Sequence, residues 1–256
     1  MIEFIDTHTH NADEAFRGCE DEIICRSREA GVVLMLQPDI DSSEREAMFA
    51  LCRRHPEELR PMLGLYPGSV RTDWKQEIEA MLPYRSEAVV AVGEIGLDYH
   101  FSTEFREEQK EALRTQLELA SQWDLPVNIH LRDATQDFIE IIEDCRHLHL
   151  RGNLHAFSGS AETFERLSRC GDWYVGIGGV LTFKKASIAR DVLRIPLERI
   201  VLETDSPYLA PSPYRGQRND SSMIPVIAEF LAGLKGCSLE DVAQMTTHNA
   251  RTLFNL

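Results

Sequence analysis

The 256-residue chain has no run of about 20 apolar residues such as a membrane span requires. Its opening, Met1-Ile2-Glu3-Phe4-Ile5-Asp6, has neither the basic start nor the small-residue cleavage site of a secretory leader. It has no Cys-x-x-Cys. The six cysteines (Cys19, Cys25, Cys52, Cys145, Cys170 and Cys237) are scattered, which argues against both a zinc knuckle and a disulfide frame. A cytoplasmic protein with no membrane partner is expected from these absences. Positive charge is also scarce: 27 Lys and Arg face 42 Asp and Glu, for a net charge of −15. Proteins that coat duplex nucleic acid are usually basic, so no extended duplex-binding surface is expected. An anionic substrate gripped only at its end, at a local positive spot, remains allowed. Low-complexity segments, Gly/Ser linkers and short repeats are missing as well.

What is present is a rhythm. Eight short apolar runs recur: Phe4–Asp6, Val32–Leu36, Met62–Leu65, Val89–Val92, Val127–Ile129, Asn153–Phe157, Tyr174–Ile177 and Ile200–Leu202. Most lack strict polar alternation, as parallel strands buried on both faces do. Amphipathic helical segments lie between them, among them Glu104–Gln122, Ala134–Cys145, Ala161–Cys170 and Ala186–Leu193, and Ser238–Leu253 follows the last strand. Pro126, Pro196, Gly31, Gly152 and Gly171 fall where a helix must stop before the next strand. Eight strand–helix units in a chain of this length predict an α/β fold, a (β/α)8 TIM-type barrel spanning residues 1–256 as a single domain. The alternative is a doubly wound open sheet. That fold normally carries a Gly-rich phosphate loop after its first strand, whereas this chain carries two histidines there.

Those histidines sit in Asp6-Thr7-His8-Thr9-His10. Side chains two apart on a strand point the same way, so His8 and His10 can present two imidazoles to one point. Alone, a His-x-His pair fits a satisfied pair at a strand end equally well. In a barrel, however, the C-terminal strand ends share one face. Glu94, His130, His155 and Asp205 fall at corresponding places after other strands. Each has a bland reading: an ion-pair partner for Glu94, a core histidine for His130 or His155, a turn cap for Asp205. Buried imidazoles and carboxylates are costly unless paired or metal-bound, and a metal cluster accounts for the whole set. Four imidazoles and two carboxylates exceed the needs of one tetrahedral ion. They suit two divalent ions (Zn, Mn, Ni or Fe, with Mg less natural) bridged by Glu94. Asp205 has the chemistry to ligate one ion and accept the proton of an attacking water, so Glu94 and Asp205 are the catalytic candidates.

The segments Asp6-Thr7-His8-Thr9-His10, Gly93-Glu94-Ile95-Gly96-Leu97-Asp98-Tyr99, His130-Leu131-Arg132-Asp133, His155-Ala156-Phe157-Ser158-Gly159 and Leu202-Glu203-Thr204-Asp205-Ser206-Pro207 closely resemble the TatD-type deoxyribonucleases of the metal-dependent amidohydrolase superfamily. The likeness runs in order from residue 5 to about residue 255. It implies a binuclear barrel hydrolase acting on DNA phosphodiesters, often from the 3′ end. By family position, His8, His10, Glu94 and Asp205 would hold one ion, and Glu94, His130 and His155 the other. Arg132 would meet a substrate phosphate, for which its planar fork is suited, unless it pairs with Asp133. Lys184, Lys185, Arg215 and Arg218 lie on loops of the same face and would form a small positive patch. Asn219 belongs to a family-like Arg-Asn pair.

Three departures lie where substrate would be held. Gly64-Leu65-Tyr66-Pro67 puts Tyr66 where the family usually has a histidine; a phenol donates a hydrogen bond but carries protons poorly at neutral pH. Asn11-Ala12-Asp13 displaces an aspartate commonly found just after the His-x-His. Arg218-Asn219-Asp220-Ser221 replaces an Arg-Asn-Glu-Pro style loop. The leading expectation is therefore a nuclease acting on DNA ends or on another small anionic substrate, with Tyr66, Arg132 and Lys184 as substrate contacts. Rim aromatics (Tyr66, Tyr99, Phe101 and Phe183) are candidates for stacking on bases. A hydrolase of an amide, lactone or aminoacyl ester is the alternative, and a non-enzymatic binding protein a more distant one.

Overall fold

Short runs rich in Val, Ile and Leu become strands, and the longer amphipathic runs become the helices that cover them. The computed structural model describes residues 2–256. The strands are β1 (Phe4–Asp6), β2 (Val32–Gln37), β3 (Leu59–Pro61), β4 (Val92–Asp98), β5 (Val127–Arg132), β6 (Arg151–Leu154), β7 (Asp172–Ile177) and β8 (Ile200–Leu202). The helices are α1 (Glu20–Glu29), α2 (Arg45–Arg54), α3 (Trp74–Met81), α4 (Arg106–Trp123), α5 (Thr135–Asp144), α6 (Ala161–Leu167), α7 (Ile188–Arg194), α8 (Ile224–Lys235) and α9 (Leu239–Phe254). All strand pairs are parallel, in the orders β1-β2-β3 and β4-β5-β6-β7-β8.

Backbone hydrogen bonds join the two sheets into a closed barrel. Between β3 and β4, Leu63 N–H donates to Ala91 O (3.1 Å) and Gly93 N–H to Leu63 O (3.1 Å). Between β8 and β1, Thr7 N–H donates to Leu202 O (3.0 Å) and Asp205 N–H to His8 O (2.9 Å). The (β/α)8 expectation therefore holds and the open-sheet alternative falls, because no strand edge is left over at either seam. No single helix among the described residues is long and apolar enough to cross a membrane.

Three strand positions differ from those expected. The third strand is Leu59–Pro61, and the expected Met62–Leu65 is the segment that leaves it. The fourth is Val92–Asp98, later than Val89–Val92, so the Gly93–Asp98 motif forms the strand itself. The sixth is Arg151–Leu154, which leaves His155 just beyond it. Gly152 accordingly lies inside β6, against the Val127 carbonyl of β5, and serves no helix-to-strand turn. At β4 polar site residues replace apolar ones toward the C-terminal end, and hydropathy stops the strand short. At β3 and β6 apolar residues run on past the strand end, and hydropathy places the strand too late.

β4 carries one more residue than β5 between Val92 and Ile95, a bulge that falls at Gly93-Glu94. Bulges re-aim side chains at barrel rims, and this one delivers Glu94 to the interior. Gly96, opposite His130, has φ +148°, and a Cβ there would stand 1.9 Å from the His130 carbonyl oxygen. Only glycine fits this approach. Two buried glutamines on one face of α4 clamp the neighbouring backbone: Gln109 makes a two-way amide pair with Asp98, and Gln116 does the same with Leu65.

Gly96→Ala should force β4 and β5 apart and cost roughly 2–4 kcal/mol, read as a lowered urea midpoint. An unchanged midpoint would contradict the close approach.

Candidate active site

The six expected residues converge at one end of the barrel. His8 and His10 leave β1, Glu94 lies in β4, His130 in β5, His155 just after β6 and Asp205 after β8. His8 Nε2 lies 3.1 Å from His10 Nε2, 3.3 Å from Glu94 Oε2 and 3.7 Å from Asp205 Oδ1. His10 Nε2 lies 3.5 Å from Asp205 Oδ1. Glu94 Oε1 faces the other way, 2.8 Å from His130 Nδ1 and 3.4 Å from His155 Nε2. Glu94 thus turns one oxygen toward each half of the cluster. His8, His10 and Glu94 form one set able to hold a metal ion, Glu94, His130 and His155 another, and His8, His155 and Asp205 an overlapping third. His8, Glu94 and His155 are buried, and the slight exposure at His10, His130 and Asp205 marks where the site opens.

On three of the four histidines the second ring nitrogen is engaged as well. His8 Nδ1 pairs with Asn128 Oδ1 (2.8 Å), His130 Nε2 with Asp98 Oδ2 (2.8 Å) and His155 Nδ1 with Glu203 Oε1 (3.2 Å). An N–H donated outward fixes the tautomer and leaves the inward nitrogen with a lone pair, as a metal-ligating histidine needs. The parallel His8 and His155 rings stack 3.7 Å apart. This donor set, with inward lone pairs and two shared carboxylates, fits a divalent cation.

The electrostatics point the same way. Burial works against charge on Glu94, but His8, His155 and the His130 hydrogen bond outweigh it and hold the carboxyl well below the usual range. Burial also opposes charge on Asp205, and contact with His10 and the other imidazoles holds it low as well. Burial keeps His8 neutral. It also disfavours charge on His155, yet Glu203 and Glu94 raise its proton affinity well above the ordinary value. The cluster therefore calls for positive charge, which protons or metal ions can supply.

The supporting residues were not singled out in the sequence, although a signal exists. Asn128-Ile129-His130 and Asn153-Leu154-His155 repeat an Asn-x-His pattern, and same-face spacing puts each asparagine one layer below its histidine. Asn128 and Asn153 sit side by side in register, and Asn128 Nδ2 donates to Asn153 Oδ1 (3.0 Å). Glu203 needs Gly176 opposite it, because a Cβ there would lie 2.0 Å from Glu203 Oε2. Asp6, pushed up to about 7 by burial, accepts from His8 N–H and from Thr204 N–H and Oγ1–H, tying β1 to the segment that carries Asp205. Asp39 pairs with buried Arg45 (2.7 Å), and its carbonyl accepts from Glu94 N–H (3.1 Å).

The expected substrate contacts divide. Tyr66 sits edge-on to His130, with ring centroids 5.0 Å apart, and Gly68 leaves room for its ring. Burial, with Glu94 and Asp98 nearby, raises its pKa, so it stays a neutral donor. Arg132 lies over the Phe101 ring, while Asp133 pairs with His100 (2.7 Å) instead. Lys184 is exposed after β7. Arg218 is exposed on the loop after β8, where its guanidinium donates to Ala15 O and lies over Phe16. Asn219 is buried and braces the loop after β8 through Thr204 O and Tyr208 O. Asp13 stands on the rim and accepts from Tyr208 Oη (2.9 Å).

Glu94→Ala should remove at least one equivalent of metal, measured by elemental analysis after reconstitution. Glu203→Ala should weaken metal binding about 10–100-fold by freeing the His155 ring. Full metal content in Glu94→Ala would refute its shared position.

Known proteins show the same architecture. The family profile described as "TatD related DNase" matches residues 5–255. An uncharacterized metal-dependent hydrolase of Bacillus subtilis, YabD, is 34% identical over 98% of both chains. The 3′-5′ ssDNA/RNA exonuclease TatD of Erwinia tasmaniensis is 34% identical over 92% of this chain and 93% of its own. The crystal structure of YjjV, a TatD homologue from Escherichia coli K12, superimposes with a TM-score of 0.91 at 31% identity, covering 100% and 99% of the two chains. The chain belongs to the TatD family of metal-dependent hydrolases.

Proposed function

We propose that this hydrolase cleaves phosphodiester bonds at the 3′ ends of DNA, using two divalent ions held on either side of Glu94. The observation that carries the reading is the division of the Glu94 carboxylate, with Oε2 toward His8 and Oε1 toward His130 and His155. His8, His10, Glu94 and Asp205 would hold one ion; Glu94, His130 and His155 would hold the other. Bound there, Mg, Mn, Zn, Ni or Fe would supply Lewis-acid charge beside a phosphoryl oxygen and lower the pKa of a water.

The protein's own groups do the rest. Asp205 stays ionised at neutral pH and lies at the open edge of the cluster, placed to take the proton of the attacking water. Tyr66 remains protonated and donates to a non-bridging oxygen as negative charge builds there. Arg132 brings a fixed positive charge to the same side. The Glu94, His130 and His155 side chains crowd the floor of the site. The relative named a 3′-5′ ssDNA/RNA exonuclease supports an end-directed activity for this chain.

Tyr66 also favours a second reading. A neutral donor in the place of a histidine suits the oxyanion of a carbonyl substrate, so an amide, lactone or aminoacyl ester is the competing substrate class.

The test uses protein reconstituted with each divalent ion, assayed on single-stranded DNA labelled at either end and on a panel of carbonyl esters and amides. Stepwise loss from the 3′ end is expected. Carbonyl hydrolysis with intact DNA would establish the second reading. Asp205→Asn should fold normally and lose turnover by at least about 100-fold, since general base catalysis commonly contributes that much. Wild-type rates in this variant would remove Asp205 from the mechanism. Tyr66→Phe should lower kcat about 10–100-fold with little change in KM, as expected for a hydrogen bond to developing charge; an unchanged kcat would exclude the donor role.

A further inference from the structure

The loops above the metal cluster carry two arginine–phenylalanine pairs. Arg132, at the end of β5, lies over the ring of Phe101 on the loop after β4, 5.1 Å from its centroid. Arg215, on the loop after β8, lies over Phe183 on the loop after β7, at 4.5 Å. In barrel order the two pairs stand on different sides of the mouth, one at β4/β5 and the other at β7/β8. Each is held in place. His100 packs edge-on against Phe101 at 4.8 Å and is anchored to Asp133 at 2.7 Å. Ser212 N–H donates to Thr182 Oγ1 at 2.7 Å, joining the two loops that carry Phe183 and Arg215.

Phe101 is 82% exposed on a braced loop beside the active site, which leaves its ring available to a ligand. The charge around it has the same character. Arg132, Lys184, Lys185 and Arg215 pair with no carboxylate among the described residues, whereas Arg106, Arg194 and Arg199 on the flanks each do. In a chain of net charge −15, unneutralised cations gathered at the mouth focus a polyanion there. Ring faces beside guanidinium groups suit a ligand that alternates flat bases with phosphates.

The geometry points to the two pairs as base-stacking platforms that grip nucleotides of an unpaired nucleic-acid strand on either side of the bond to be cut. This rests on the phosphodiesterase reading above and adds the groups that select an unpaired strand, since a duplex hides the faces of its bases. Phe101 and Phe183 bind bases, and Arg132 and Arg215 hold the rings while reaching the adjacent phosphates.

The test compares wild type, Phe101→Ala and Phe183→Leu on one single-stranded oligonucleotide and on the same strand with abasic units at its 3′ end. Phe101 is exposed, and leucine keeps the apolar packing of half-buried Phe183, so both variants should fold. Each should raise KM for the normal strand about tenfold or more with kcat nearly constant, and the difference should collapse on the abasic strand. Equal penalties on both strands, or no penalty on either, would overturn the proposal. Binding of the fluorescent oligonucleotide to metal-loaded Asp205→Asn, with and without Phe101→Ala, is measured separately. If wild type cuts no DNA, the phosphodiesterase reading fails, while a roughly tenfold loss of binding on adding Phe101→Ala still supports the platforms. Equal binding by the two proteins, or binding by neither, refutes them.

Discussion

A carboxylate buried among apolar strands must meet positive charge or hydrogen-bond donors, and the upper half of this barrel is arranged around that requirement at Glu94. The bulge at Gly93-Glu94 turns the side chain inward. Four histidines, each from a strand or the turn directly after it, then close on the cluster Glu94 anchors. Without compensating charge the arrangement would be costly. With it, one carboxylate links strands from both seams of the barrel.

The requirement spreads downward. Three of the four imidazoles are fixed by an outward partner: Asn128 for His8, Asp98 for His130, Glu203 for His155. Those partners are buried polar groups themselves, and some of their atoms, Glu203 Oε2 and Asn153 Nδ2 among them, have no protein partner. Such positions weaken a core and persist where function needs them. The lower barrel and the helical shell offset this with apolar packing around residues such as Met35, Leu63, Ile129 and Phe138.

The fold was legible because parallel strands buried on both faces leave short apolar runs, and eight of them survive in this chain. Strand limits were least legible at the catalytic end, where Glu94, His130 and their neighbours break the apolar pattern. The six ligand candidates could be read because histidine and acidic residues are conspicuous at strand ends. Their supports could not be read as easily. Asn128 and Asn153 look like ordinary strand polars until the repeated Asn-x-His spacing is noticed. Gln109 and Gln116 look like the polar face of a helix, and only the tertiary structure turns them onto the backbone of Asp98 and Leu65. For Arg218 the sequence shows only a charge, and the structure adds what holds it, Ala15 and Phe16.

Family membership and metal dependence leave the division of labour at Glu94 as the claim on which the chemistry turns. The most direct measurement is a crystal structure of the protein loaded with Mn2+, with anomalous scattering recorded at the manganese edge. The account predicts two anomalous peaks, one within bonding distance of Glu94 Oε2 beside His8 and His10, the other at Glu94 Oε1 beside His130 and His155. A single peak, or two peaks of which one lies away from Glu94, would contradict it.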